Sequence, residues 1–313
     1  MEVRMNNIIK VLEIVMPIFA TIVLGVLAKR KNIFTEEANK GLQKFVMTYC
    51  LPCVLFNSCL TGKFAMESFT VMVTVVPLVF LSSLWAFKVR KTKYPYHNLP
   101  QLFSSQETGM LGIPLFITLF GTAHAFRMGV LDVAQGFVSI PMIAILSTDT
   151  GKNPSVGYVL KKVVQSPLLI MSILGMILNM TGAIDVLNAI GIGGIITEVT
   201  GFIAQPISAV ILFCVGYNFS LGKENYKHVF EICGWHLAFC ALFCVIIQAV
   251  LCIDPSVDAA TRWAVLLYCA LPGSYLAAGL GKTKEESTLA ASVCSILTVI
   301  CLIIFSVIAV LVA

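Results

Sequence analysis

Apolar residues occur along this chain in ten long runs, separated by short segments that hold most of the charges. A helix needs about 20 residues to cross a bilayer, and each run is close to that length. Backbone polar groups in lipid must pair internally, so the runs predict helices and not open strands. The predicted spans are Ile8–Ala28, Phe45–Leu60, Phe69–Val89, Leu99–Phe120, Phe126–Leu146, Val163–Met180, Ile195–Phe219, Val229–Cys252, Arg262–Leu280 and Ser287–Ala313.

The composition supports lipid as the main solvent. Of the 313 residues, 58% are hydrophobic and 12% are charged, whereas soluble domains carry about 25% charged residues. Ten spans leave no room for a separate soluble domain, so residues 1–313 are predicted to form one membrane domain. The modest net charge of +5 indicates loop charges facing a cytoplasm, and no nucleic-acid partner is expected.

The distribution of basic residues predicts the orientation. With the N-terminus outside, the inside loops hold 16 of the 21 lysines and arginines. This bias favours both termini outside and supports the count of ten, because a missed span would disrupt the alternation. We therefore expect a multi-pass protein of the plasma membrane.

The two halves of the chain resemble each other. Pro17 lies eight residues before Gly25, and Pro167 lies eight residues before Gly175. Further proline counterparts occur in the second and seventh predicted helices and in the fourth and ninth. Five helices per half is an odd number, so the second copy is predicted to be inverted, as in many secondary transporters. The predicted repeats are about 1–146 and about 163–313, with a cytoplasmic linker at about 147–162; chance similarity between proline-containing helices is the alternative.

The fourth and ninth predicted helices contain glycine and proline at matching depths. Proline removes a helical hydrogen bond but suits the first turn of a new helix. We therefore expect each to consist of two half-helices, whose ends could bind an anion and whose unwound carbonyls could bind a cation. A pair of simple kinks is the alternative.

Polar residues near these breaks are the candidate site. A charge inside a span costs at least about 2.5 kcal/mol on insertion scales, so Glu107 is expected to face a cavity, unless it lies near the cytoplasmic interface. Asp132 is predicted either to line the same cavity or to pair with Arg127 near the outer surface. His236 is interpreted as an interfacial ring. The candidate substrate-binding residues are Asn57, Gln106, Glu107, Thr108, Gly112, Pro114, Asp132, Gln135, Pro272, Gly273 and Ser274, with Glu107 and Asp132 as ion-coupling residues.

Enzyme motifs and ATP-binding loops are not found in the sequence. Transport would then be driven by gradients, with a proton or sodium as the coupling ion and no cofactor or metal, unless a partner supplies ATP. An intramembrane enzyme using Cys50 and Cys53 and a passive channel are minor alternatives.

Several motifs resemble those of the auxin efflux carrier family. Glu107–Leu115 is similar to the fourth-helix motif, in which an asparagine commonly precedes Thr-Gly. The likeness covers nearly the whole chain in order and spacing. The other similar segments are Leu51–Phe56, Asp132–Gln135, Leu271–Gly281 and Glu286–Ser295.

The resemblance implies ten helices in two inverted repeats and an elevator-like mechanism. Helices one, two, six and seven would form a scaffold, and helices four and nine of the moving domain would cross at the substrate site. Substrates of the family are small carboxylates, and a homodimer through the scaffold is one expected assembly. The short loop Ser147–Lys162 resembles the bacterial form.

Two positions depart from the family pattern: Glu107 replaces an asparagine, and Gln135 stands where asparagine is common. The leading prediction is a carrier of a small organic anion. The alternative is a sodium or proton exchanger on the same fold, with Glu107 and Asp132 binding the ion.

Overall fold

The protein is all-α in a computed structural model that describes residues 2–62, 66–147, 157, 165, 167–222, 225–253 and 257–312. In chain order the helices are α1 (Glu2–Arg30), α2 (Glu36–Phe45), α3 (Leu51–Thr61), α4 (Met66–Val89), α5 (Leu99–Ser104), α6 (Ile113–Phe120), α7 (Ala125–Ser147), α8 (Pro167–Met180), α9 (Ala183–Ala189), α10 (Ile192–Ala204), α11 (Ile207–Asn218), α12 (Tyr226–Leu251), α13 (Ala259–Tyr268), α14 (Leu276–Gly279) and α15 (Lys284–Val312). The π-helical turns Val46–Cys50 and Thr108–Gly112 precede α3 and α6, and a short 3-10 turn precedes α7.

Seven helical stretches of the described chain are long and apolar enough to cross a membrane. Helices α8 and α9 together would give an eighth, bent by 78°. The bend follows from Gly182, whose φ of +69° is the left-handed conformation that glycine adopts readily. The segments that contain α5 with α6, and α13 with α14, are interrupted by non-helical residues, as the glycine and proline pattern predicted.

Several predicted boundaries differ from the structure by a few residues or more. The second span was predicted to begin at Phe45, which is wrong: α2 begins at Glu36, where the Thr35 side chain accepts a hydrogen bond of 3.1 Å from the backbone N–H of Ala38. Helix α2 is polar because one of its faces lines a cavity. Helix α10 begins at Ile192, three residues before the predicted start. The predicted start at Val163 and almost all of the predicted linker 147–162 lie outside the described residues.

Glycines allow two pairs of helices to pack at backbone distance. A Cβ atom on Gly25 of α1 would lie 2.0 Å from the carbonyl oxygen of Phe213 in α11. A Cβ atom on Gly175 of α8 would lie 2.6 Å from the carbonyl oxygen of Phe56 in α3. Small residues at such contacts are typical of helix packing in membranes. The two glycines of the matched Pro-to-Gly segments thus make corresponding contacts.

The helices pack as two groups. In one group, α1 lies along α11, and α3 lies along α8 and α10. In the other, α4 packs on α5, α7 and α12, while α15 packs on α12 and α14. The interrupted segments belong to the second group, and they face the first group across a cavity.

Candidate functional site

The two interrupted segments cross each other as a short antiparallel ladder. The backbone N–H of Glu107 donates to the carbonyl of Pro272 at 2.8 Å, and the N–H of Ser274 donates to the carbonyl of Ser105 at 3.1 Å. Gln106 and Gly273 face each other between these bonds. The chains approach so closely that a Cβ atom on Gly273 would lie 2.4 Å from the carbonyl oxygen of Leu102.

The local sequence explains why each segment is interrupted here. Helix α5 ends at Ser104, and Ser105 is extended, with φ −163° and ψ 150°. Helical structure resumes at Thr108, and Pro114 lies in the first turn of α6. In the second segment Pro272 has no N–H to continue α13. Extended backbone leaves N–H and C=O groups that cannot remain unpaired in a membrane, and the opposite segment supplies their partners.

Gln135 of α7 holds the first segment in place. Its Oε1 accepts from the backbone N–H of Gln106 at 2.7 Å, and its Nε2 donates to the carbonyl of the same residue at 2.9 Å. The hydroxyl of Tyr268 donates to Oε1 at 3.0 Å, while Thr108 Oγ1 lies 2.9 Å from Nε2. The Gln135 side chain is buried, with 3% of its surface exposed. Its amide bonds to both backbone groups of Gln106, as the backbone of a neighbouring strand would. Its amide is therefore committed to positioning the crossing.

Glu107 is the acidic side chain at the crossing that also reaches the cavity. It is 8% exposed, and its Oε2 accepts a hydrogen bond of 2.7 Å from the backbone N–H of Tyr275. Among the described residues, no lysine, arginine or histidine lies within ion-pair distance of this carboxylate. A buried carboxylate without a cationic partner suits a group that binds a cation or a proton.

Asp132 also belongs to the crossing. Its Oδ1 accepts from Gln135 Nε2 at 3.0 Å, and it lies near enough to Glu107 for the two carboxyl groups to interact electrostatically. Arg127, the alternative partner predicted for Asp132, pairs with Asp258 instead. Two acidic side chains therefore lie together at the crossing.

The remaining predicted residues fall into two sets. Gly112 packs against the residues that precede Pro272, since a Cβ atom there would lie 2.7 Å from the side chain of Leu271, and Pro114 is buried in α6. Ser274 is buried at the crossing, 5% exposed. Asn57 lies elsewhere, in α3, where its Oδ1 accepts from Thr200 of α10 at 2.7 Å. Of the predicted residues, the crossing brings together Gln106, Glu107, Thr108, Asp132, Gln135, Pro272, Gly273 and Ser274.

A cavity of about 710 Å³ extends from Glu107 between the two helix groups. One wall is formed by α2 and the C-terminal ends of α1 and α11, and the other by Tyr275 and α15. Apolar atoms make up most of the surface of the wall, although about half of its lining residues have polar or charged side chains. The basic side chains on it are Lys29, Lys40 and Lys44, and Glu36 lies with them.

Sequence reasoning missed the polar face of α2. The side chain of Asn39 is 2% exposed and donates from Nδ2 to Asn218 Oδ1 at 2.8 Å, while its own Oδ1 has no hydrogen-bond partner. A threonine followed by two glutamates is a helix-start signal, and it could have placed this helix at Glu36. The interfacial interpretation of His236 was also wrong, because the ring is buried and its Nε2 lies 3.2 Å from the carbonyl of Leu271 at the crossing.

Comparisons with known proteins indicate a membrane transporter. Residues 10–153 match the family model described as "Membrane transport protein". An uncharacterized transporter of Methanothermobacter thermautotrophicus is 22% identical over 247 residues, covering 76% of this chain and 78% of the relative. The uncharacterized transporter YfdV of Escherichia coli K12 is 22% identical over 226 residues, covering 68% of this chain and 69% of the relative.

Long apolar helices, an interrupted crossing and a cavity that ends on it define a multi-pass membrane transporter. The matched family model and the related transporters support a membrane transporter of the auxin efflux carrier family.

Proposed function

We propose that the protein is a gradient-driven carrier of small organic carboxylates and that the substrate binds between the crossing and the cavity. The observation that carries this proposal is the cavity, which runs from a group of lysines to the interrupted helices. Lysines attract an anion electrostatically and raise its local concentration. A binding site that ends on interrupted helices is typical of secondary transporters.

The proposed topology is ten spans in two inverted repeats. The bent pair α8–α9 and the two interrupted segments supply the three spans beyond the seven continuous ones. The corresponding contacts of Gly25 with α11 and Gly175 with α3 support the repeats, since each first helix of a half packs on the second helix of the other half. Both termini would then face outwards and the lysines inwards, at the plasma membrane.

The proposed mechanism is an elevator-type movement. The crossing is tied by hydrogen bonds to α7 and α13 of its own group. The cavity separates this group from the group that contains α1 and α11. A rigid group that carries the site past a static one would expose the crossing alternately to each side, and the described cavity would be the cytoplasm-facing state.

A cation exchanger on the same fold is the second candidate. Two acidic side chains, Glu107 and Asp132, lie at the crossing, and the described residues place no basic side chain within ion-pair distance of Glu107. Such an arrangement suits a sodium ion or a transferable proton, and in a carboxylate carrier it would supply the coupling.

Uptake of labelled carboxylates into proteoliposomes tests the proposal, with sodium and proton gradients imposed separately. Saturable carboxylate uptake is expected, and in Glu107→Gln its dependence on the coupling gradient should disappear. Ion flux without any carboxylate flux would support the exchanger. Gradient dependence that persists in Glu107→Gln would remove Glu107 from coupling.

A further inference from the structure

Glu107 already occupies the position at which a substrate carboxylate would be bound at the crossing. Its Oε2 accepts a hydrogen bond from the backbone N–H of Tyr275, a residue that lines the cavity beside the second interruption. The backbone N–H of Glu107 donates a hydrogen bond to the carbonyl of Pro272. A second carboxylate here would find this donor taken and a like charge beside it, so it would be repelled.

The charges of the cavity differ with depth. Met47 marks the depth of the crossing, because its methyl group lies 3.1 Å from the position of a Cβ atom on Gly109. Lys44 lies three residues earlier on the same continuous helix, about 4.5 Å nearer the opening at 1.5 Å per residue. Lys40 lies about one further turn away. The deep end of the cavity is thus acidic, and its opening has a net positive charge, with three lysines and Glu36.

We propose that the substrate is a zwitterion, an amino acid whose ammonium group pairs with Glu107 and whose carboxylate faces the lysines of the cavity opening. This inference rests on the proposed function and specifies the substrate of that same site. An ammonium group donates up to three hydrogen bonds and neutralises a buried carboxylate that has no other cationic partner among the described residues. A simple mono- or dicarboxylate has no ammonium group, so it offers Glu107 neither hydrogen-bond donors nor a neutralising positive charge.

The wall between the two charged ends includes polar residues such as Asn39, Asn218 and Thr298 as well as an apolar patch. Met110, Val215 and Leu276 form this patch, and none of these three side chains can hydrogen-bond a polar substituent. An apolar substrate side chain would displace water from such a patch favourably. The favoured amino acids therefore have a hydrocarbon side chain, or a hydrocarbon chain between the ammonium group and the carboxylate.

Matched ligand pairs test the proposal on the purified, full-length protein by isothermal titration and by thermal stabilisation. The pairs are leucine with 4-methylpentanoate, phenylalanine with 3-phenylpropanoate, and 6-aminohexanoate with hexanoate. The members of each pair differ in the ammonium group alone. At least one amino acid is expected to bind the wild type about tenfold or more tightly than its partner acid, as loss of a charge-assisted hydrogen bond predicts.

Two variants locate the two ends of the ligand. Glu107→Gln should abolish the preference for the amino acid, because the amide no longer attracts the ammonium group. Lys44→Gln should weaken both members of a pair while preserving the preference. Glu198→Gln, an exposed glutamate of α10 that does not line the cavity, is the matched control and should change neither.

The outcomes separate this inference from the proposed function. If the acids bind as tightly as the amino acids in the wild type, or bind only when sodium or low pH neutralises the site, the zwitterion is wrong and the carboxylate carrier stands. If none of the six compounds binds, the zwitterion is wrong, and the uptake assay with labelled carboxylates decides separately whether the protein is a carboxylate carrier. The wild-type comparison needs no variant, so a misfolded mutant cannot obscure it.

Discussion

Replacement of Gln135 by leucine is expected to destabilise the protein through the crossing. Gln135 accepts two hydrogen bonds on Oε1, and its two amide hydrogens serve acceptors on Gln106, Thr108 and Asp132. Four bonds can therefore exist at once. At about 0.6 kcal/mol for a hydrogen bond inside a membrane protein, their loss amounts to about 2–3 kcal/mol. Leucine keeps most of the volume, so the cavity contribution is small.

Gln248→Leu is the matched control for this change. Gln248 of α12 donates a single hydrogen bond, to the carbonyl of Arg262 at 2.8 Å. Its removal should cost about 0.6 kcal/mol. Thermal unfolding in detergent should show a fall in Tm of about 5–10 °C for Gln135→Leu and about 1–2 °C for the control, at about 2–4 °C per kcal/mol.

Equal shifts in the two variants would refute the reasoning. They would mean that the backbone of Gln106 finds other partners when the amide is removed, and that Gln135 is not required to hold the crossing. Gln135→Asn tests whether the length of the side chain matters as well as its amide group. Asparagine is shorter by one methylene but keeps both hydrogen-bonding atoms. We expect a smaller loss of Tm than for leucine, since one of the two bonds to Gln106 can still form.

Three further substitutions have expected outcomes. Gly25→Ala should lower Tm, because overpacking costs about 1–3 kcal/mol, whereas Gly41→Ala, whose Cβ meets open space on a helix, should be neutral or stabilising. Gly273→Ala should abolish most transport in proteoliposomes by separating the crossing, and Gly279→Ala, also in open space, should retain it. Asn57→Ala should reduce stability by about 1 kcal/mol with unchanged ligand affinity in titration; weakened affinity would return Asn57 to the binding site.

The interrupted helices were predictable from the sequence because their cause is local. Proline lacks an N–H wherever it occurs, so Pro114 and Pro272 mark positions where a continuous helix is unfavourable. The acidic residue beside the first interruption was equally informative, since a membrane tolerates charge only where protein or water surrounds it. These local signals predict that Gln106–Thr108 and Pro272–Ser274 lie close together, and the structure pairs the two segments.

Tertiary relations account for what the sequence did not predict. Hydropathy identifies helices that face lipid, and α2 instead turns a polar face to a cavity, so its first nine residues look like a loop. Gln135 was predicted to bind substrate because a polar residue in a span suggests a function. Its bonds to both backbone groups of Gln106 depend on the distance between α7 and the first interruption, which no pattern along the chain encodes.

The ladder at the crossing also bears on how the protein is made. Glu107 and Tyr275 are separated by 168 residues along the chain. At about 5–20 residues per second, the first segment leaves the ribosome roughly 8–34 s before its partner. Throughout that interval its extended backbone cannot be satisfied by lipid. We expect nascent segment 105–107 to be kept hydrated or held by the insertion machinery until the ninth predicted helix arrives, so that chains ending before Pro272 would be retained there and degraded.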